Sequence, residues 1–111
     1  MKRFWKLFIL LAVVLSLVGC GLPGEPTQPA GNLEVHFIDV GQGDATLIVS
    51  DGHAMLIDAG ENDKGSKVWS YLKNQGINEL DYVIGTHPDS DHIGGMDVIL
   101  YKFDCKNVFM P

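Results

Sequence analysis

The chain holds 111 residues, enough for one domain and no more. Acidic residues outnumber basic ones 14 to 8, for a net charge of −6 at pH 7. That balance argues against binding built on a phosphate backbone, which needs a basic face.

The first 20 residues read as an export signal. Lys2, Arg3 and Lys6 make a positive head, and Leu7 to Val18 is apolar apart from Ser16. That run falls short of the roughly 20 residues of a membrane span but suits a signal core. It leads into Leu17-Val18-Gly19-Cys20, which resembles a bacterial lipobox. The resemblance implies cleavage before Cys20, lipid on its sulfur, and a chain anchored in the cell membrane on its extracytoplasmic face. An uncleaved amino-terminal anchor is the alternative, and it leaves the rest of the chain on the same side. Loss of residues 1–19 removes three of the eight basic residues and none of the 14 acids, so five remain against 14 and the net charge is about −9. With Cys20 taken, Cys105 has no partner in the chain. No internal disulfide is expected, and Cys105 reads as a buried small hydrophobe.

Residues 21–32 read as a linker. Pro23, Pro26 and Pro29 recur every third residue, which favours an extended spacer of about 3.1 Å per residue. The folded domain is expected at 33–111. A strand runs from Leu33 to Asp39, Gly41-Gln42-Gly43-Asp44 makes a tight loop, and a second strand covers Ala45 to Val49. Asp51-Gly52 is a hairpin turn, and a third strand runs from Ala54 to Ile57 into Asp58-Ala59-Gly60. Val68, Tyr71 and Leu72 share a face of a helix from about Ser66 to Gln75, with Gly76 placed to end it. A fourth strand covers Asp81 to Thr86. Gly94-Gly95 opens a second helix, where Met96, Ile99, Leu100 and Phe103 fit the i, i+3, i+4, i+7 pattern. Asn107 to Met110 reads as a fifth strand.

The order β-β-β-α-β-α-β marks a mixed-sheet α/β class. Met55-Leu56-Ile57 and Tyr82-Val83-Ile84 are apolar at consecutive positions, as in strands buried on both faces. Two helices cover one face only. A second layer, supplied as a sheet by further chain, is therefore expected on the other.

Thr86-His87-Pro88-Asp89-Ser90-Asp91-His92-Ile93-Gly94-Gly95 carries the chemistry. Two imidazoles and two carboxylates within six positions are costly to crowd together unless a cation sits among them. Just past a strand end, an extended backbone would point His87, Asp89 and Asp91 to one side while His92 turns with the chain. Such a set can hold one metal or two. The amino end of the following helix would face the site and favour anionic ligands. A polar loop whose acids merely cap that helix is the plain alternative. An EF-hand loop is excluded, because counting from Asp89 places Ile93 at position 5 and Leu100 at position 12. Gly41-Gln42-Gly43-Asp44 is no P-loop, since no Gly-Lys-Ser/Thr follows. Gln42 and Asp44 either face the site or serve the turn.

The segment from Thr86 to Gly95 is similar to the His-x-His-x-Asp-His motif of metallo-β-lactamase-fold hydrolases. With Val35-His36-Phe37-Ile38-Asp39-Val40-Gly41-Gln42-Gly43-Asp44-Ala45 and Leu56-Ile57-Asp58-Ala59-Gly60, it resembles the competence-protein (ComEC-type) branch. The resemblance implies half of an αββα sandwich and two divalent metal ions, zinc or manganese. It assigns His87 and Asp89 to the first metal, and Asp91 and His92 to the second. Asp91 would also be catalytic, orienting the bridging water as it attacks. Asp58 would hold the His/Asp loop by hydrogen bonds, although an acid that ends a strand and starts a turn is the simpler reading of it. The wider family has histidine where Asp89 stands, and a carboxylate there favours a harder ion such as manganese. His36 and His53 match no ligand position and read as surface or half-buried histidines.

The implied activity is hydrolysis of a phosphodiester or related ester, the substrate being a small phosphoester or DNA at the cell surface. The family's remaining ligands come from the second half of the fold, so the carboxy-terminal half is expected as a missing partner of 33–111. The alternative is a non-enzymatic or inactive truncated lipoprotein that lacks those ligands.

Overall fold

Strand pairing follows directly from the turn chemistry. The computed structural model describes residues 31–111. Strands β1 (Leu33–Phe37), β2 (Thr46–Ser50) and β3 (His53–Ile57) form an antiparallel meander. Asp51 and Gly52 join β2 to β3 with φ of 49° and 83°, the two left-handed residues that a tight hairpin requires. Helix α1 (Gly65–Asn74) then crosses to β4 (Glu79–Ile84), which lies parallel to β3. A short turn α2 (Ser90–Ile93) and helix α3 (Met96–Lys102) lead to β5 (Asp104–Phe109), parallel to β4. The sheet order is β1-β2-β3-β4-β5. The mixed α/β class expected of the sequence is the one observed. The expected signal segment 1–20, with Cys20, lies outside the described residues, as does the linker up to residue 30. Among the described residues, no helix is long and apolar enough to cross a membrane.

Helix α1 stops where glycine allows it. Gly76 has φ of 77°, and its N–H donates to the Lys73 carbonyl while Ile77 N–H donates to that of Leu72. Those paired bonds satisfy carbonyls that the helix end would otherwise leave bare.

The core lies on one side of the sheet. Leu47, Leu56 and Val83 are neighbours in register, and Val68 and Leu72 of α1 and Met96 and Ile99 of α3 pack with them. Burying each such side chain contributes up to about 1.5–3 kcal/mol. Leu100 departs from the expected apolar stripe and stands 39% exposed, whereas Met96, Ile99 and Phe103 are buried.

The opposite side is only partly covered among the described residues. Val35, Ile48, Met55 and Tyr82 share one row across the sheet, and Phe37, Ile57, Ile84 and Phe109 the next. Phe37 is 84% exposed, Tyr82 46% and Phe109 55%. The Tyr82 and Phe109 rings stack at 6.5 Å. In Met55-Leu56-Ile57 and Tyr82-Val83-Ile84, Leu56 and Val83 are fully buried on the helix side, whereas on the other face Met55, Ile57 and Ile84 are only half-buried and Tyr82 is exposed.

Candidate metal centre

β3 and β4 are parallel and end flush, with Ile57 opposite Ile84. The residues after each strand therefore emerge side by side. Asp58 follows β3 with φ of 59°, a left-handed conformation that costs a non-glycine residue roughly 1 kcal/mol. Its N–H donates to the Ile84 carbonyl at 2.9 Å. This turn swings its carboxylate, 3% exposed, into the space beyond the end of β4.

Three polar groups meet that buried acid. Thr86 N–H donates to Oδ1 at 2.9 Å, and the Thr86 hydroxyl donates to Oδ2 at 2.6 Å. His92 Nδ1 lies 3.0 Å from the same Oδ2. Thr86 Oγ1 is in turn 3.0 Å from His87 Nδ1. A carboxylate so supplied loses little on leaving water, which explains why it can be buried at all. Asp58 thus bonds to Thr86 and to His92, at either end of the segment 86–92.

The loop itself is not the extended run that alternation suggested. Asp89 is extended, at φ −72° and ψ 143°, but the chain then coils into α2. His92 and Ile93 N–H both donate to the Asp89 carbonyl, and Gly94 N–H to that of Ser90. Helical geometry thus begins four residues before the expected glycine opening, and α3 proper starts at Met96. Asp91 reaches the cluster from a helical turn rather than from strand-like alternation.

His87, Asp91 and His92 each bring one ligand atom within 4.8 Å of the others. The two imidazole centroids are 3.7 Å apart. Asp91 Oδ2 is 3.7 Å from His92 Nε2, and Asp89 Oδ2 is 3.5 Å from His87 Nε2. Asp89 is exposed and is not part of the convergent triad, yet it sits on the coordinating side of His87. Two imidazole nitrogens and a carboxylate oxygen at one accessible corner suit a first-row divalent ion.

A second loop closes over this one. Asp44 N–H donates to the Asp91 carbonyl at 3.1 Å, and Asp44 Oδ2 stands 3.5 Å from His92 Nδ1. Gly43 lies so close that an added Cβ would sit 1.8 Å from the Asp91 carbonyl oxygen. Ala59 N–H donates to the His92 carbonyl, and Gly60 N–H to that of Asp44. Asp44, which the sequence left between a site role and a turn role, faces the site. The sequence signal for it was the glycine before it, needed for close approach and not only for the turn.

The hydrogen bond to Asp58 raises the His92 pKa above its usual 6.5, and the charges of Asp91, Asp58 and Asp44 add to it while burial opposes. Acids therefore surround this imidazole on several sides, a setting that attracts cations.

The remaining candidates lie elsewhere. His36 is half-buried, with Nδ1 3.0 Å from the Tyr71 hydroxyl. His53 is exposed and pairs with Asp81 at 3.2 Å. Cys105 is a free, half-buried thiol packed on the core, and burial pushes its pKa up, as expected of an inert cysteine.

A family model described as the metallo-beta-lactamase superfamily matches residues 38–108. Recombination protein 2 of Haemophilus influenzae is 37% identical over 83 residues, covering 70% of this chain and 10% of that protein. ComE operon protein 3 of Bacillus subtilis is 29% identical over 96 residues, covering 70% of this chain and 12% of the relative. The chain thus spans only about a tenth of the length of these relatives. Among solved structures, the metallo-beta-lactamase SMB-1 bound to 2-mercaptoethanesulfonate superposes with a TM-score of 0.57 at 22% identity. That match covers 62% of this chain and 27% of the enzyme, and it speaks for the fold alone. The family match takes in strands β2 to β4, most of β5 and both loops around His87, Asp91 and His92, and on that footing the chain belongs to the metallo-beta-lactamase superfamily.

Proposed function

We propose that this protein is a metal-dependent hydrolase of the competence-protein branch, acting on phosphoester bonds. One observation carries the reading: His87, Asp91 and His92 converge on a single corner, braced by the buried Asp58. The relatives named as recombination and ComE operon proteins support the branch. His87 and Asp89 would hold one divalent ion, and Asp91 and His92 a second, zinc or manganese. Bound there, the ions would lower the pKa of a water and offset charge developing on the ester. Asp91, the carboxylate of the convergent cluster, would orient that water. Asp58 and Thr86 keep the imidazoles aimed. The acidic balance of the chain favours a small phosphoester over a long nucleic acid, with DNA at the cell surface as the polymeric candidate.

The same proposal places the domain 33–111 on the extracytoplasmic face of the cell membrane, tethered by lipid on Cys20 through the 21–32 spacer. Mass spectrometry of the membrane fraction tests the lipid directly. The partly covered side of the sheet supports a second layer packing there as the other half of the sandwich.

The test of activity uses the full chain loaded with Mn²⁺ or Zn²⁺, assayed on bis-p-nitrophenyl phosphate and on single-stranded DNA. Activity that is lost in His87→Ala and Asp91→Ala supports the assignment. Activity that survives both replacements refutes it. A second reading, a lipoprotein that holds metal only weakly and catalyses nothing, is favoured by the single three-ligand cluster found among the described residues. Titration with Mn²⁺ separates the two, because that reading requires weak binding and no turnover at saturation.

A further inference from the structure

We infer that Thr86 is a positioning residue whose hydroxyl links Asp58 to His87, so that one buried carboxylate sets the tautomer of both histidines. The inference rests on the metal-centre reading and deepens it. A hydroxyl has one hydrogen and can donate only once. Thr86 spends that hydrogen on Asp58 Oδ2 at 2.6 Å, the short distance of a bond to a charged acceptor. Its oxygen then faces His87 Nδ1 at 3.0 Å as an acceptor. His87 must therefore carry its proton on Nδ1. His92 Nδ1 lies 3.0 Å from the same carboxylate oxygen, which also only accepts, so the second ring carries its proton on Nδ1 too.

The consequence is directional. Both Nε2 atoms are left with free lone pairs, and they point to the sides where the other acids stand. Asp91 Oδ2 is 3.7 Å from His92 Nε2, and Asp89 Oδ2 is 3.5 Å from His87 Nε2. The wrong tautomer at His87 would turn an N–H toward the corner where a cation must sit, and metal would then have to displace a proton. Oriented imidazole donors of this kind typically account for tenfold to a hundredfold in metal affinity. Thr86 is well anchored for the task, since its backbone N–H is held by Asp58 Oδ1 at 2.9 Å independently of its side chain.

Long-range ¹H–¹⁵N correlation spectra of the metal-free chain, taken at alkaline pH, report the tautomers directly. The parent should show Nδ1–H at His87 and His92. Thr86→Val keeps the shape and the backbone bond but removes the hydroxyl. In that variant His87 should lose its Nδ1–H preference while His92 keeps its own, and an unchanged His92 signal shows that the site is still folded. Thr86→Ser should restore the parent pattern. Mn²⁺ affinity should fall tenfold to a hundredfold in Thr86→Val and stay near the parent value in Thr86→Ser. An Nε2–H tautomer at His87 in the parent overturns the inference, as does a Thr86→Val spectrum identical to the parent's. Correct tautomers in a protein that binds no Mn²⁺ would instead sink the metal reading and leave the role of Thr86 standing.

Discussion

Replacing Gly43 by alanine tests how tightly the two loops of the site depend on one another. Gly43 has φ of 97°, and the new Cβ would lie 1.8 Å from the Asp91 carbonyl oxygen. Contacts between a real Cβ and backbone essentially never fall below 3.0 Å, so one loop must retreat by about an ångström. That movement breaks the Asp44 N–H bond to the Asp91 carbonyl, a loss of about 1 kcal/mol, and adds it to left-handed strain of roughly 1–2 kcal/mol. Gly41 is the internal control. Its φ is 74°, yet an added Cβ there meets nothing within 4 Å, so Gly41→Ala carries the strain alone. Urea unfolding should therefore place Gly43→Ala at least about 1 kcal/mol below Gly41→Ala, the value of the lost bond. Mn²⁺ titration should show weakened binding in the first variant only, because Asp91 moves with its carbonyl. Equal stabilities for the two variants, with equal metal binding, would refute the claim that the Gly41–Asp44 loop props the His/Asp loop.

The raised pKa of His92 gives two pH trends of opposite sign. Stabilisation of the metal-free protein by the protonated ring is complete below the unfolded value of 6.5 and is lost as pH rises through the higher folded value, whereas Mn²⁺ affinity climbs over that same interval as the competing proton leaves. Unfolding midpoints and metal titrations on the parent and His92→Gln, measured across that interval, check both signs. Asp81 is held down at about 2, first by the Lys106 ammonium and then by the Ala54 N–H. Its contribution is present above the usual 3.8 and should vanish as pH falls toward 2, so Asp81→Asn should flatten the acid limb of the stability curve. In the core, Leu56→Ala removes a side chain that is 0% exposed and should cost about 2–5 kcal/mol by urea unfolding. Phe37→Ala, at a position 84% exposed, should change stability by less than about 0.5 kcal/mol.

Much of this arrangement was legible in the residues because local chemistry dictates it. Asp51-Gly52 can hardly be anything but a hairpin turn, and Gly76 supplies the left-handed residue that ends α1. The cluster between His87 and His92 announces itself because mutual repulsion makes such crowding pointless without a cation. What the sequence concealed was non-local. Alternation along 87–91 could not reveal that α2 coils before the glycines, since that turn is also held from outside by the Ala59 N–H on the His92 carbonyl and the Asp44 N–H on the Asp91 carbonyl, both distant in sequence. Thr86 read as the end of a strand, and only the parallel pairing of β3 with β4 brings Asp58 to it, while Asp44 stood between a site role and a turn role until its N–H bond to the Asp91 carbonyl placed it beside the loop. Leu100 matched the helical period and is nonetheless 39% exposed, while its neighbour Ile99 takes the core side.

The left-handed backbone at Asp58 narrows what evolution or an engineer can place there. Of the other side chains, asparagine best tolerates that conformation while matching the outline of the acid. It carries one accepting oxygen where aspartate has two, and its amino group would face a proton donor head-on. Three donors would then compete for a single acceptor, so this position should prove nearly immutable even though its carboxylate is almost wholly shielded from solvent. A mutational scan would rank it beside the imidazoles, and intolerance there would report on their alignment rather than on direct contact with any ligand.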